Sequence, residues 1–126
     1  MENRGIIKSE IRSDGKLTIS ITEGDIWMTR HEIREFLGVF IQSVNANLRE
    51  IFKSGELYEN EVVKEITKGE YIISYYNLDV VFALTYRCKG GYCTSIRKWI
   101  TERIKKPIVE HRQPIIIALG KGCAMS

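Results

Sequence analysis

An α+β fold is predicted for this sequence, and three observations carry that reading. Two stretches, 6–22 and 61–76, set apolar residues on either side of a glycine turn, the mark of a β-hairpin. Three others, 30–37, 41–53 and 94–106, return an apolar residue every three or four positions, the period of a helix with one buried face. The chain of 126 residues is 44% hydrophobic and contains no linker or low-complexity tract, so it reads as one domain. That domain spans 1–126, with a core over about 16–106 and a tail over 107–126.

Taken in order, the first hairpin places Ile6, Ile7 and Ile11 before the turn Ser13-Asp14-Gly15, and Leu17, Ile19 and Ile21 after it. A turn at Glu23-Gly24-Asp25 leads into a short strand, Ile26-Trp27-Met28. The period then becomes helical. Thr29, with Glu32 three residues on, spells a capping box. Ile33, Phe36 and Leu37 share one face of a helix over 30–37, which Gly38 ends. A second helix over 41–53 aligns Ile41, Val44, Leu48, Ile51 and Phe52, and Ser54-Gly55 closes it. In the central hairpin, Val62, Val63 and Ile66 precede Lys68-Gly69-Glu70, and Tyr71, Ile72 and Ile73 follow. Asn77 caps a helix over 78–87 that is apolar on nearly every side, through Leu78, Val80, Val81, Phe82, Ala83 and Leu84, which predicts burial all round. After a glycine loop at 88–93, the last helix, 94–106, turns Ile96, Trp99, Ile100 and Ile104 inward until Pro107 breaks it. In the tail, the apolar run 114–119 is expected to form a strand.

Several function classes are excluded on composition. No stretch approaches the ~18 continuous apolar residues of a membrane span. The charged start, Met1-Glu2-Asn3-Arg4, lacks an apolar leader core, so a cytoplasmic protein is expected. Three cysteines are an odd number, which suits free thiols in a reducing compartment. Cys88 and Cys93 flank a loop, but a structural zinc needs four ligands, and Cys123, His31 and His111 are distant in sequence. No metal and no cofactor are therefore expected. Asp79, beside Asn77, sits at a helix start where capping accounts for it. Gly120-Lys121-Gly122 lacks the spacing of a phosphate loop. Neither histidine has a nucleophile nearby, so the expectation is a non-enzyme with no small-molecule substrate.

A capped short helix, a glycine turn and a longer amphipathic helix are the parts of a helix-turn-helix. The fold class expected is thus α+β, a winged helix-turn-helix-like single domain with an N-terminal β-hairpin, a central β-hairpin serving as wing, and two C-terminal helices. Arg34 stands where the tightest versions of the motif carry a small residue, which predicts a looser crossing. The face of helix 41–53 opposite its apolar stripe offers Gln42, Ser43, Ala46, Arg49, Glu50 and Lys53, with Asn45 and Asn47 at its margins. Gln and Asn pair with adenine, Arg with guanine, and Ala meets the thymine methyl. Gln42, Ser43, Asn45, Ala46 and Arg49 are accordingly the expected base-reading residues.

Charge is uneven along the chain. Residues 1–60 hold 8 basic and 10 acidic side chains, a net of −2, while 61–126 hold 11 and 6, a net of +5. Within 87–106, Arg87, Lys89, Arg97, Lys98, Arg103, Lys105 and Lys106 are opposed only by Glu102. Such a run suits phosphate contacts. With Thr29, Arg30 and Lys53 these seven make up the expected phosphate-binding set.

Trp27-Met28-Thr29, the run Asn47-Leu48-Arg49-Glu50-Ile51-Phe52-Lys53-Ser54-Gly55-Glu56-Leu57, Tyr75-Tyr76-Asn77-Leu78-Asp79-Val80-Val81 with Tyr86-Arg87, and Ile96-Arg97-Lys98-Trp99-Ile100 occur in an order and spacing that resembles the RhuM virulence-protein family over about residues 16–106. The Arg-x-Trp segment is similar in style to the Bro-N and KilA-N phage antirepressor domains. The resemblance implies a bacterial DNA-binding module of the kind carried on mobile elements. The sequence departs from the family at Val39-Phe40-Ile41-Gln42, which is more apolar than usual there, and at Cys88-Lys89-Gly90-Gly91. It also lacks the C-terminal extension of many relatives, so a small stand-alone binder is expected.

The expectation is a protein that binds double-stranded DNA as a homodimer and acts as a transcriptional regulator or mobile-element accessory factor. The rival is a protein-interaction module docking through the apolar run 114–119.

Overall fold

The computed structural model describes residues 4–106, and the strand expected over 114–119 lies outside them. The architecture is mixed α and β, with five helices and two sheets among the described residues. β1 (Arg4–Gly5) pairs in parallel with β4 (Asp25–Met28). Between them β2 (Ile7–Ile11) and β3 (Leu17–Ile21) form the expected N-terminal hairpin, a separate two-stranded sheet. α1 (Arg30–Leu37) and α2 (Ile41–Ser54) follow, then a single-turn α3 (Glu59–Val62). β5 (Val63–Lys68) and β6 (Tyr71–Asn77) make the central hairpin, which joins β4 so that the larger sheet runs β1-β4-β6-β5. α4 (Leu78–Arg87) and α5 (Cys93–Lys105) complete the fold.

Local sequence sets most of these boundaries. Thr29 Oγ accepts the Glu32 N–H, and a Glu32 carboxylate oxygen accepts the Thr29 N–H at 2.9 Å, so the capping box is formed. Gly38 and Gly55 take the left-handed conformation that ends α1 and α2. Asn77 Oδ1 accepts the Val80 N–H and starts α4.

Glu32 also holds the N-terminus. Arg4 donates to both of its oxygens at 2.8 and 2.9 Å and to the Trp27 carbonyl, which stitches β1 beside β4 and the start of α1. Burial alone would raise the Glu32 carboxyl, but Arg4 and the Thr29 N–H hold it below the usual range. β1 escaped the sequence reading because two residues show no period, and its place depends on a partner 28 residues away.

One apolar cluster unites the elements. Ile33 and Leu37 of α1, Val44, Leu48 and Ile51 of α2, Val80, Val81 and Leu84 of α4, and Ile96 of α5 are all buried against Met28 and Tyr76 of the sheet. Ser9 of β2 donates to the Phe36 carbonyl at 2.7 Å and seats the first hairpin on α1.

Three expectations need correction. Val62 is buried in α3 rather than in the strand, because a turn of helix anchored on Tyr58 carries the chain from α2 into β5. Ile104 is 79% exposed, since α5 outruns the apolar surface it packs on. α4 is not covered all round: Val80, Val81, Leu84 and Thr85 are buried, but Phe82 is 37% and Tyr86 54% exposed.

A close backbone approach ties the turn between α1 and α2 to the loop before α5. Tyr92 donates its N–H to the Leu37 carbonyl at 2.8 Å, with its ring lying over Gly38. A Cβ on Gly38 would stand 2.6 Å from that ring, and one on Gly91 would stand 2.5 Å from the Leu37 and Gly38 carbonyl oxygens.

Gly38→Ala is expected to cost roughly 2–4 kcal/mol, combining left-handed strain with overpacking. Gly55→Ala shares the positive φ but meets nothing within 4 Å, and should cost only about 1 kcal/mol. Urea denaturation of the two variants checks the contrast; equal losses contradict the close packing at Gly38.

Candidate nucleic-acid interface

α1 and α2 are joined by Gly38-Val39-Phe40. Val44 and Leu48 face inward, which leaves one long side of α2 to solvent. On it Gln42, Ala46, Arg49, Glu50 and Lys53 are exposed. Phe40 occupies the N-cap without a capping side chain, and no acid stands in the first turn of α2, so the positive end of the helix dipole is uncompensated beside Gln42.

Asn45 lies at the margin of that face, where the helical period puts it, and Ser43 lies at an edge rather than on the face. Asn45 Oδ1 accepts from Arg30 Nη1 at 2.8 Å, and Arg30 Nε donates to the Tyr76 hydroxyl at 2.7 Å. Arg30 thereby bridges α2 to β6, and its guanidinium lies 5.7 Å from the Tyr76 ring centroid. On the other edge Ser43 is half-buried, its hydroxyl 3.7 Å from Cys88 Sγ. Asn47 Nδ2 donates to the Ser43 carbonyl at 2.8 Å and approaches the same sulfur at 3.6 Å. The reason is angular: 43 and 47 fall on the side of α2 that packs on the end of α4. Ser43 is therefore removed from the exposed face of α2, and Lys89, next to Cys88 in the chain, is exposed.

The phosphate set divides in the same way. Thr29 spends its hydroxyl on capping, and Arg30 is engaged as described. Arg87 Nε and Nη2 both donate to Glu56 Oε1. Arg97 donates to the carbonyls of Thr85 and Cys88 at 3.1 and 2.9 Å, closing the C-terminal end of α4. Lys53, Lys89, Lys98, Arg103, Lys105 and Lys106 are exposed, and Arg103 lies 5.3 Å from the Trp99 ring centroid. The basic run of α5 begins where Tyr92 meets the turn and leads away from it, Lys105 lying ~20 Å along the helix at 1.5 Å per residue.

A groove unforeseen from sequence lies between α2 and the central hairpin, lined by Thr29, Arg30, Ile41, Asn45, Ile72 and Ser74. Ile72 in its lining is 65% exposed, and Tyr71 at the start of β6 and Phe40 at the start of α2 are 75% and 83% exposed. Their apolar character gave no signal, because exposure of a strand residue depends on which elements cover it.

Cys88 and Cys93 are both buried free thiols. Burial first, then the neighbouring Cys88, push the Cys93 thiol up to about 11, with Arg97 opposing. Among the described residues no group of three or more His, Cys, Asp and Glu could hold a metal ion. No helix among them is long and apolar enough to cross a membrane. No family model, curated protein or solved structure matches this chain.

A thiol raised in the folded state favours folding at low pH and loses that contribution as the thiolate forms. Stability is expected to hold below pH 9 and to fall as pH rises toward about 11, with a shallower fall in Cys93→Ala. Urea midpoints across that range check it, and identical slopes in the two proteins contradict it.

Proposed function

We propose that this chain is a double-stranded DNA-binding module of the winged helix-turn-helix kind, with α2 as the reading helix and the β5–β6 hairpin as the wing. The observation that carries the reading is the exposed face of α2, with Gln42, Ala46, Arg49 and Lys53 in line, flanked by a groove whose far wall is β6. Order supports it as well: β4, α1, the glycine turn, α2, the single turn α3, then a hairpin whose second strand pairs back with β4. That pairing sets the hairpin beside the reading helix, where a wing reaches the backbone or minor groove.

In this reading Gln42 and Arg49 contact adenine and guanine edges, and Ala46 meets a thymine methyl. Asn45, its oxygen held by Arg30, presents its amide N–H groups to base or phosphate acceptors. Lys53, Lys89 and Lys98 neutralise phosphates nearest the reading helix, and Arg103, Lys105 and Lys106 extend that contact along the flank. Glu50 on the same face repels phosphate and fits discrimination more than affinity. The chain acts as a binder rather than an enzyme, either a transcriptional regulator or an accessory factor on a mobile element. The resemblance to RhuM points the same way.

Mobility shifts with duplex DNA are expected to show binding at about 50 mM salt that weakens steeply on salt addition. Sequence preference, measured by selection from random duplexes, should relax by ~1–3 kcal/mol for each of Gln42→Ala and Arg49→Ala. Lys98→Ala should weaken all duplexes alike and lower the salt slope by about one. Absence of binding at low salt overturns the reading, and an unchanged preference in the Gln42→Ala, Arg49→Ala double variant removes α2 as the reader.

A further inference from the structure

The side chain of Asn45 can face Arg30 in one way alone. Arg30 Nη1 stands 2.8 Å from it, and a guanidinium carries donors and no acceptor, so only the amide oxygen can meet it. Arg30 is itself held from the sheet, its Nε donating to the Tyr76 hydroxyl at 2.7 Å. Tyr76 is buried, and its place in β6 is fixed by pairing with Met28 on one side and Val63 on the other. A chain of hydrogen bonds thus runs from the sheet through Tyr76 and Arg30 to the margin of α2. Both Arg30 and Asn45 line the open groove between α2 and the β5–β6 hairpin. Asn45 is i+3 from Gln42 and i−4 from Arg49, so its amide adjoins the exposed face that carries them.

We propose, resting on the DNA-binding reading above, that Arg30 sets the base specificity of Asn45 and makes it a reader of guanine. An unrestrained asparagine recognises adenine with both ends of its amide, the oxygen accepting from N6 and the N–H2 donating to N7. Here the oxygen already carries a cationic donor, and the N6 amino hydrogens of adenine would have to approach that cation to share it. What Asn45 has left to offer is Nδ2, a group that only donates. Guanine answers it with two adjacent acceptors, N7 and O6, whereas thymine has O4 alone and cytosine presents a donor. The bond from the guanidinium also polarises the amide and strengthens Nδ2 as a donor. Arg30 is therefore a positioning residue: it decides which end of Asn45 faces the groove of the duplex, and Tyr76 holds it there from the core.

Selection from random duplexes by the full chain is expected to return guanine at one position that Asn45→Ala alone makes indifferent. Arg30→Met should turn the preferred base at that position from guanine to adenine. Competition between duplexes differing only in that pair should show a shift in relative affinity of at least about tenfold, the low end for one good bidentate contact. Arg30→Lys returns a cationic donor to the Asn45 oxygen and should keep guanine. Tyr76→Phe fills the same space without the hydroxyl, and should narrow the guanine preference although it lies in the core. Circular dichroism checks that each variant folds; should Arg30→Met not fold, an unchanged preference in Tyr76→Phe overturns the inference. Guanine retained by a folded Arg30→Met overturns it too, as does an equal loss of affinity for every duplex, which makes Arg30 a phosphate contact. An Asn45→Ala variant with the wild-type preference at every position does the same. Each of these outcomes leaves the DNA reading standing, whereas a wild-type chain that shifts no duplex overturns both.

Discussion

The contact on which the arrangement of helices depends is backbone against backbone: Gly91 on the carbonyls of Leu37 and Gly38, with Tyr92 laid over Gly38. Neither glycine leaves room for a Cβ, so the α1–α2 turn and the α4–α5 loop can only meet in this way. The Tyr92 N–H bond to Leu37 then satisfies a carbonyl at the end of α1 that the helix cannot use. This junction joins the loop before α5 to the helix pair, while Cys93, Ile96 and Ile100 carry α5 into the shared core. The set of side chains that α2 offers to solvent follows from its packing on α1 and on the end of α4.

Arginine explains why formal charge overstates the surface available to a polyanion. Arg4 is consumed by Glu32, Arg30 by Tyr76 and Asn45, Arg87 by Glu56 and Arg97 by two carbonyls. Each uses a planar fork of donors to join segments far apart in sequence, a task for which guanidinium is better shaped than ammonium. Lys53, Lys89 and Lys98 are exposed point charges, whereas Lys64 lies 4.5 Å from the Trp27 ring centroid. Among the described residues the exposed arginines outside that group are Arg12, Arg49 and Arg103, Arg12 facing Asp14 two residues away and Arg103 the Trp99 ring.

α4 joins α2 to the sheet, and α2 leans on its inner side through Val44, Leu48 and the polar pair Ser43 and Asn47. Its outer side carries Phe82 and Tyr86. That outer side is thus separate from the residues that hold α2.

Periodicity and caps determined the elements by themselves. The hairpin at 7–21, the capping box of Thr29 and Glu32, the left-handed glycines after α1 and α2 and the Asn77 cap are all interactions within a few residues, and a linear pattern records them. The apolar stripe of α2 likewise foretold which of its residues face outward at its centre, Gln42, Ala46 and Arg49. What periodicity could not reach was the fate of residues at the margins. Ser43 and Asn45 differ little from Gln42 in type, yet Cys88 holds one and Arg30 the other, because partners 45 and 15 residues away happen to pack there. The short strand β1, the exposure of Phe82, Tyr86 and Ile104, and the loss of four predicted phosphate contacts to internal duties have the same origin. Local hydrogen bonding and amphipathic period are written in consecutive residues; burial and the occupancy of a guanidinium are decided only when distant segments meet.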